Sequence, residues 1–133
     1  MTHTIVFVCP HGAAKSVMAA AYFQQLADQR GLDYRAICAG TEPDAIVAPR
    51  VAQLLQSEGV GLPADPPRKP TAEELASAES IISLGCTDAE LGVAAEQVEH
   101  WDDVPAPSQN LSGARDAIFA HVESLVNSMQ MTA

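Results

Sequence analysis

The sequence predicts one α/β domain, a four-stranded parallel sheet with helices on both faces. Short runs of β-branched and aromatic residues alternate with longer segments whose apolar residues recur at three- and four-residue spacing. The resulting order, β-α-β-α-(α)-β-β-α, is that of a parallel sheet covered by helices. The length agrees: 133 residues, 47% apolar and 18% charged, suffice for one packed core. No repeat or linker divides the chain, so the domain is expected to span 1–133. In such folds the ligand lies beyond the carboxyl ends of the strands.

Each element has its own local reason. Residues 4–8, Thr-Ile-Val-Phe-Val, form an unbroken apolar run, the pattern of a strand buried on both faces. After a turn of small residues, 16–29 reads as a helix, with Ala19, Tyr22, Phe23 and Leu26 on one face and Gly31 as a stop. Residues 34–38 form a second strand, ended by Gly40. Pro49 suits a first helical position; Val47, Val51, Leu54 and Leu55 make one stripe, and Gly59 closes the helix. Residues 64–70 are a proline-rich loop, after which Thr71 and Glu74 make a capping box for a short helix. Residues 81–84 are a third buried strand and 98–101 a fourth. Beyond the loop 102–110, a last helix carries Leu111, Ala114, Ile118, Val122, Leu125 and Met129.

Charge excludes some functions. Seven Lys and Arg stand against 17 Asp and Glu, a net charge of −10. A nucleic-acid or anionic-membrane binder needs a basic patch to displace counterions, so neither partner is expected. Three cysteines are too few for a disulfide scaffold and read as reduced thiols. The first apolar run is too short for a signal peptide, and no stretch approaches the roughly 18 apolar residues of a membrane span. The expected location is the cytoplasm.

The unusual segment is the first strand-to-helix turn: Cys9, Pro10, His11, Gly12, Ala13, Ala14, Lys15, Ser16. A loop of small residues ahead of a helix can turn several N–H groups inward and, with the helix N-terminus, cradle a tetrahedral anion. Cys9 heads that cradle, where such donors favour thiolate over thiol. Lys15 adds a positive charge at the other rim, and the Ser16 hydroxyl can donate to the sulfur. One reading is a thiolate nucleophile in an oxyanion cradle; the other is a buried strand-end cysteine followed by an ordinary turn.

The spacing of Cys9, five residues, then Lys15 and Ser16 after a first strand resembles the low-molecular-weight protein tyrosine phosphatase and arsenate reductase family, whose signature is Cys, five residues, Arg, then Ser or Thr. Ala39-Gly40-Thr41 with Pro43 is similar to that family's segment after the second strand. Residues 78–85 with Cys86-Thr87-Asp88 resemble its third strand and following loop, and Glu99-His100-Trp101-Asp102 the approach to its acid loop. The resemblance implies a low-molecular-weight phosphatase-like fold. It implies Cys9 as nucleophile, residues 9–15 as the oxyanion cradle, and arsenate, phosphate or a phosphoester as substrate, with no bound cofactor.

Three departures shape that implication. Lys15 replaces the family's Arg, a point charge where a planar fork binds two oxygens, which costs about 1.5–3 kcal/mol of transition-state binding. Lys here is similar to some actinobacterial arsenate reductases that use mycothiol. Where phosphatases carry Asp-Pro, this chain has Ala106-Pro107, with Asp102 and Asp103 upstream as displaced candidates for the acid. A missing acid harms ester hydrolysis, where general-acid help is worth 10²–10⁴-fold, more than arsenate chemistry, whose leaving group is water or hydroxide. Cys86 resembles the first resolving cysteine of thioredoxin-coupled reductases and is a candidate second thiol, but residues 91–95 lack its partner and Ala14 offers none. A reductase would therefore draw on an external thiol of mycothiol, glutathione or thioredoxin type.

The leading expectation is thus a thiol-dependent arsenate reductase. The alternatives are a weak low-molecular-weight tyrosine phosphatase and a non-catalytic phosphate- or phosphopeptide-binding module. A phosphocysteine carrier like the sugar phosphotransferase subunits is a fourth, against which the downstream match speaks. Cys38 reads as structural. His11 is either an oxyanion donor or a loop residue. Trp101 and His100 are either a pocket wall or core, and Arg68 and Lys69 either border the site and draw an anion in or belong to a solvated loop. His3 and His121 have no partner at metal-ligand spacing, so no metal site is expected.

Overall fold

The computed structural model describes residues 2–63 and 66–132. Strand β1 (His3–Cys9) leads to helix α1 (Lys15–Gln29), strand β2 (Tyr34–Gly40) and helix α2 (Pro49–Ser57). Helix α3 (Ala72–Ser77), strand β3 (Ser80–Ser83), the single turn α4 (Asp88–Leu91) and a 3₁₀ turn (Ala95–Gln97) follow. Strand β4 (Val98–His100) and the long helix α5 (Leu111–Thr132) complete the chain. The four strands are parallel, in the order β2-β1-β3-β4. Of the proline-rich loop 64–70, Ala64 and Asp65 lie outside the described residues.

Strand β1 is the central element, with Ile5, Val6, Phe7 and Val8 wholly inaccessible to solvent. One face meets α1, α2 and α5 through Phe7, Phe23, Leu55, Ile82, Ile118 and Val122. The other places Val8, Ala39, Ile81 and Cys86 against Leu75 of α3 and Leu91 of α4. Burying an aromatic or branched side chain of this kind contributes about 1.5–3 kcal/mol, which is why a short β-branched run suffices to seat the sheet.

β1 and β2 extend further than local pattern predicts. Cys9 pairs with Gly40, so the ladder carries β1 to Cys9 and β2 up to the glycine expected to follow it. β3 ends at Ser83 and β4 at His100, each one residue short of the expected strand. The turn α4 is absent from the periodicity, although its capping box is present in the sequence: Thr87 accepts from Glu90 N–H at 3.2 Å, and Glu90 accepts from Thr87 N–H at 2.9 Å. Among the described residues no helix is long and apolar enough to cross a membrane.

The connection from β1 leads to β2 on one side, and the connection from β2 crosses to β3 on the other. The strand order reverses there, opening a crevice at the carboxyl end of β1. Cys9 is the residue at that end.

Candidate active site

The loop after Cys9 is held by its carbonyls. Pro10 O accepts from Glu42 N–H at 2.7 Å, His11 O from Asp44 N–H at 2.9 Å and Ala13 O from Ala48 N–H at 2.9 Å, while Ala14 O accepts from Met18 N–H at 3.0 Å. In a trans peptide the next residue's N–H points opposite to the carbonyl. The amides of His11, Gly12 and Ala14 are therefore turned away from the strap 42–48. Among the described residues, no N–H of 11–17 donates to a protein acceptor, and the first turn of α1 has no side-chain cap. Gly12 and Ala13 are buried, and unpaired amides in such a place call for an acceptor.

Two glycines make the geometry feasible. Gly12 has φ +62°, and a Cβ there would lie 2.9 Å from Gly40 N; a Cβ on Gly40 would lie 2.5 Å from Gly12 N. The loop thus rests backbone to backbone on the end of β2. Gly40 N–H donates to Arg68 O at 2.9 Å. Arg68 is itself fixed by a two-pronged pair to Glu74, at 2.8 and 2.6 Å, and that guanidinium holds the Glu74 carboxyl down at about 2.

A pocket of about 460 Å³ opens over the loop, lined by Cys9, His11, Lys15, Asp44 and Arg50 with an apolar wall that includes Ala106, Pro107 and Leu111. Cys9 is 4% exposed. Its thiol donates to the buried Ser16 hydroxyl at 3.1 Å; once the sulfur is ionised, the hydroxyl becomes the donor. Lys15 is half-buried, and among the described residues neither it nor Arg50 has an ion-pair partner. His11 Nδ1 lies 3.4 Å from Asp44 Oδ1, both more than half exposed.

Other expected participants lie elsewhere. The sequence offers Asp102 and Asp103 as displaced acids, and the structure puts neither against the pocket. Asp103 accepts from His121 at 2.7 Å, and Asp102 sits 3.9 Å from His100, whose other nitrogen meets Asp88 at 2.8 Å. The reason is tertiary: Trp101 is drawn into the core, stacking on His121 at 4.6 Å and packing against Phe7, and the two aspartates are carried outward with it. Trp101 and His100 therefore do not wall the pocket. Ala106 and Pro107 occupy that side instead, without an acid. Arg68 and Lys69 are likewise outside it.

Cys86 is buried between Thr41, 3.8 Å from its sulfur, and Ser83, whose hydroxyl accepts from Cys86 N–H at 3.0 Å. Burial pushes its thiol up, against the Thr41 hydrogen bond, and the nearby Cys9 charge adds to the rise. Cys38 lies within β2, facing the larger core cluster. Arg50 and Asp44 are the pocket residues that sequence reasoning missed. Neither stands at a diagnostic spacing from Cys9; the only local signal was Pro49, which puts Arg50 in the first turn of α2. Among the described residues no group of three or more His, Cys, Asp or Glu side chains is placed to hold a metal.

The low molecular weight phosphotyrosine protein phosphatase family matches residues 4–129. A putative arsenate reductase of Halobacterium salinarum is 29% identical over 97 residues, 71% of this chain and 68% of the relative. YfkJ from Bacillus subtilis superposes with a TM-score of 0.87 at 22% identity, covering 99% of this chain and 97% of its own. A thioredoxin-dependent arsenate reductase of Corynebacterium glutamicum gives 0.85 at 21%, covering 99% of this chain and 64% of that one. A low molecular weight phosphotyrosine phosphatase of Vibrio cholerae gives 0.82 at 20%, covering 98% and 99%. At these identities the solved structures speak for the fold.

Proposed function

Given that the chain belongs to the low molecular weight phosphotyrosine protein phosphatase family, we propose that it is a thiol-dependent arsenate reductase with Cys9 as nucleophile. The observation that carries this reading is the combination at one pocket of an amide cradle, Cys9 and Lys15 with Ala106 at the position where an ester-cleaving enzyme needs an acid. An alkoxide leaves poorly without a proton, whereas arsenate loses only water or hydroxide.

In this mechanism the amides of 11–15 and the Lys15 ammonium hold the arsenate oxygens. The Cys9 sulfur attacks arsenic, an As–S bond forms, and hydroxide leaves as water after taking a proton from solvent. The Ser16 hydroxyl donates to the sulfur before attack. The sulfur of an external thiol then attacks Cys9 Sγ. An S–S bond forms, and the S–As bond breaks with its electron pair passing to arsenic, which falls from As(V) to As(III) and departs as arsenite. A second thiol opens the mixed disulfide. The balance is one arsenate and two thiols giving one arsenite, one disulfide and one water.

No cysteine follows Cys86, and Cys38 packs with the core cluster on the other face of the sheet, so Cys86 has no relay partner among the described residues, which supports an external donor. Free cysteines and consumption of reduced thiol both fit a reducing compartment such as the cytoplasm. The family match itself favours a second reading, a slow phosphatase acting on esters with stable leaving groups.

The test is arsenite release with added thiol, beside p-nitrophenyl phosphate turnover, for wild type, Cys9→Ser and Cys86→Ser. The proposal expects thiol-dependent arsenite release that Cys9→Ser abolishes and Cys86→Ser retains within about threefold, on the order of 0.7 kcal/mol. Phosphate release without arsenite would replace it with the phosphatase. Neither activity, with phosphate still shielding Cys9 from alkylation, would leave a binding module.

A further inference from the structure

The pocket is larger than its oxyanion. A tetrahedral oxyanion of five heavy atoms fills roughly 100 Å³, a few water volumes of ~30 Å³ each, against about 460 Å³ here. The surplus lies between the first turn of α2 and the segment 106–111, and its chemistry is specific. No Phe, Tyr or Trp lines the pocket, and its one ring, the His11 imidazole, stands on the loop beside Asp44. Its wall of Val51, Pro107 and Leu111 suits a short aliphatic chain. At the rim stand two opposite charges, the Arg50 guanidinium and the Asp44 carboxylate.

Arg50 is the arginine that lines the pocket. The chain carries 17 Asp and Glu; away from the pocket, Arg68 and Arg115 are paired with Glu74 and Glu58, and Arg30 meets the neutral side chains of Asn127 and Gln130. Arg50 has no ion-pair partner among the described residues, although it stands on the same pocket as Asp44. Asp44 contacts His11 only at 3.4 Å and is more than half exposed, which leaves its outer oxygen open to a ligand. A guanidinium fork binds a carboxylate through two parallel hydrogen bonds.

Resting on the reductase reading, we propose that the outer half of the pocket seats the reducing co-substrate, and that this co-substrate is a small aliphatic thiol bearing a carboxylate and an amino group. Arg50 binds its carboxylate and Asp44 its ammonium, leaving the thiol sulfur directed at Cys9 Sγ. An uncharged polyol thiol makes neither contact.

The experiment measures KM for thiol in arsenite release with cysteine, mercaptopropionate (carboxylate alone) and mercaptoethanol (neither charge). In Arg50→Gln the KM for cysteine and for mercaptopropionate rises at least tenfold more than that for mercaptoethanol, the loss of one charge-assisted hydrogen bond. In Asp44→Asn the KM rises for cysteine but not for mercaptopropionate. A second readout needs no turnover: S-methylcysteine, which cannot reduce anything, slows alkylation of Cys9 by iodoacetamide in wild type and fails to do so in Arg50→Gln. Parallel shifts for all three thiols, or no slowing by S-methylcysteine, overturn the subsite. If no thiol drives arsenite release while phosphate still shields Cys9, the reductase reading falls and the alkylation competition alone decides the subsite.

Discussion

Ala106→Asp returns a carboxyl to the wall of the pocket that faces Cys9. The position is well held: Ala106 O accepts from Gln109 N–H at 3.0 Å and from Asn110 N–H at 2.9 Å, and Pro107 fixes the next φ. Ala106 is exposed, so the new carboxyl enters without a buried-charge penalty and the fold should keep its stability within about 0.5 kcal/mol. General-acid help is typically worth 10²–10⁴-fold. Lys15 holds the transferring group less rigidly than a guanidinium fork, so the lower end applies: a gain of about 10², or about 2.7 kcal/mol. The assay compares phenyl phosphate with p-nitrophenyl phosphate. Phenolate is the more basic leaving group and needs the proton, so turnover of phenyl phosphate should rise about a hundredfold and that of the nitrophenyl ester by much less. Equal gains on both esters, or none with the unfolding curve unchanged, would refute the argument that a missing acid limits this site.

Two further outcomes follow from the scaffold. Gly12→Ala meets both a left-handed φ and a Cβ 2.9 Å from Gly40 N, whereas Gly31→Ala meets a similar φ of +68° with nothing within 4 Å. Urea unfolding should show about 1 kcal/mol lost at Gly31 and about 2–4 kcal/mol at Gly12, and only Gly12→Ala should also lose phosphate protection of Cys9. Glu74→Gln should cost about 1–2 kcal/mol at neutral pH, since it breaks the Arg68 pair and weakens the capping box. The Glu74 carboxyl is depressed from 4.5 to about 2 in the folded state, so its contribution is full above the unfolded value and disappears as pH falls from 4.5 toward 2. Wild-type and Glu74→Gln unfolding curves should therefore converge at the acid end; a constant gap across that range would sink the assignment.

Local signals carried most of the fold. The apolar run of β1, the 3/4 spacing of α1 and α5, Pro49 at the head of α2 and the Thr71–Glu74 capping box all became the expected elements, because each depends on neighbours within one or two turns. The candidate loop was legible for the same reason, since all its groups come from the eight consecutive residues 9–16. Element ends were less legible: β2 runs to Gly40 because pairing with Cys9 outweighs a glycine's preference for a turn. Asp102 and Asp103 stood near the acid position in sequence, yet the burial of Trp101 against Phe7 and His121 turned them to solvent.

The amino-acid order by itself determined a parallel α/β sheet and a cysteine at the mouth of its first helix, because strand, turn and helix propensities act over a few residues. Only the tertiary structure decided what faces that cysteine. Asp44, Arg50 and Ala106 reach the pocket because the β2-β1-β3-β4 order folds segments 35 to 97 residues away onto the end of β1, and such proximity is set by packing of the whole core rather than by any spacing along the chain.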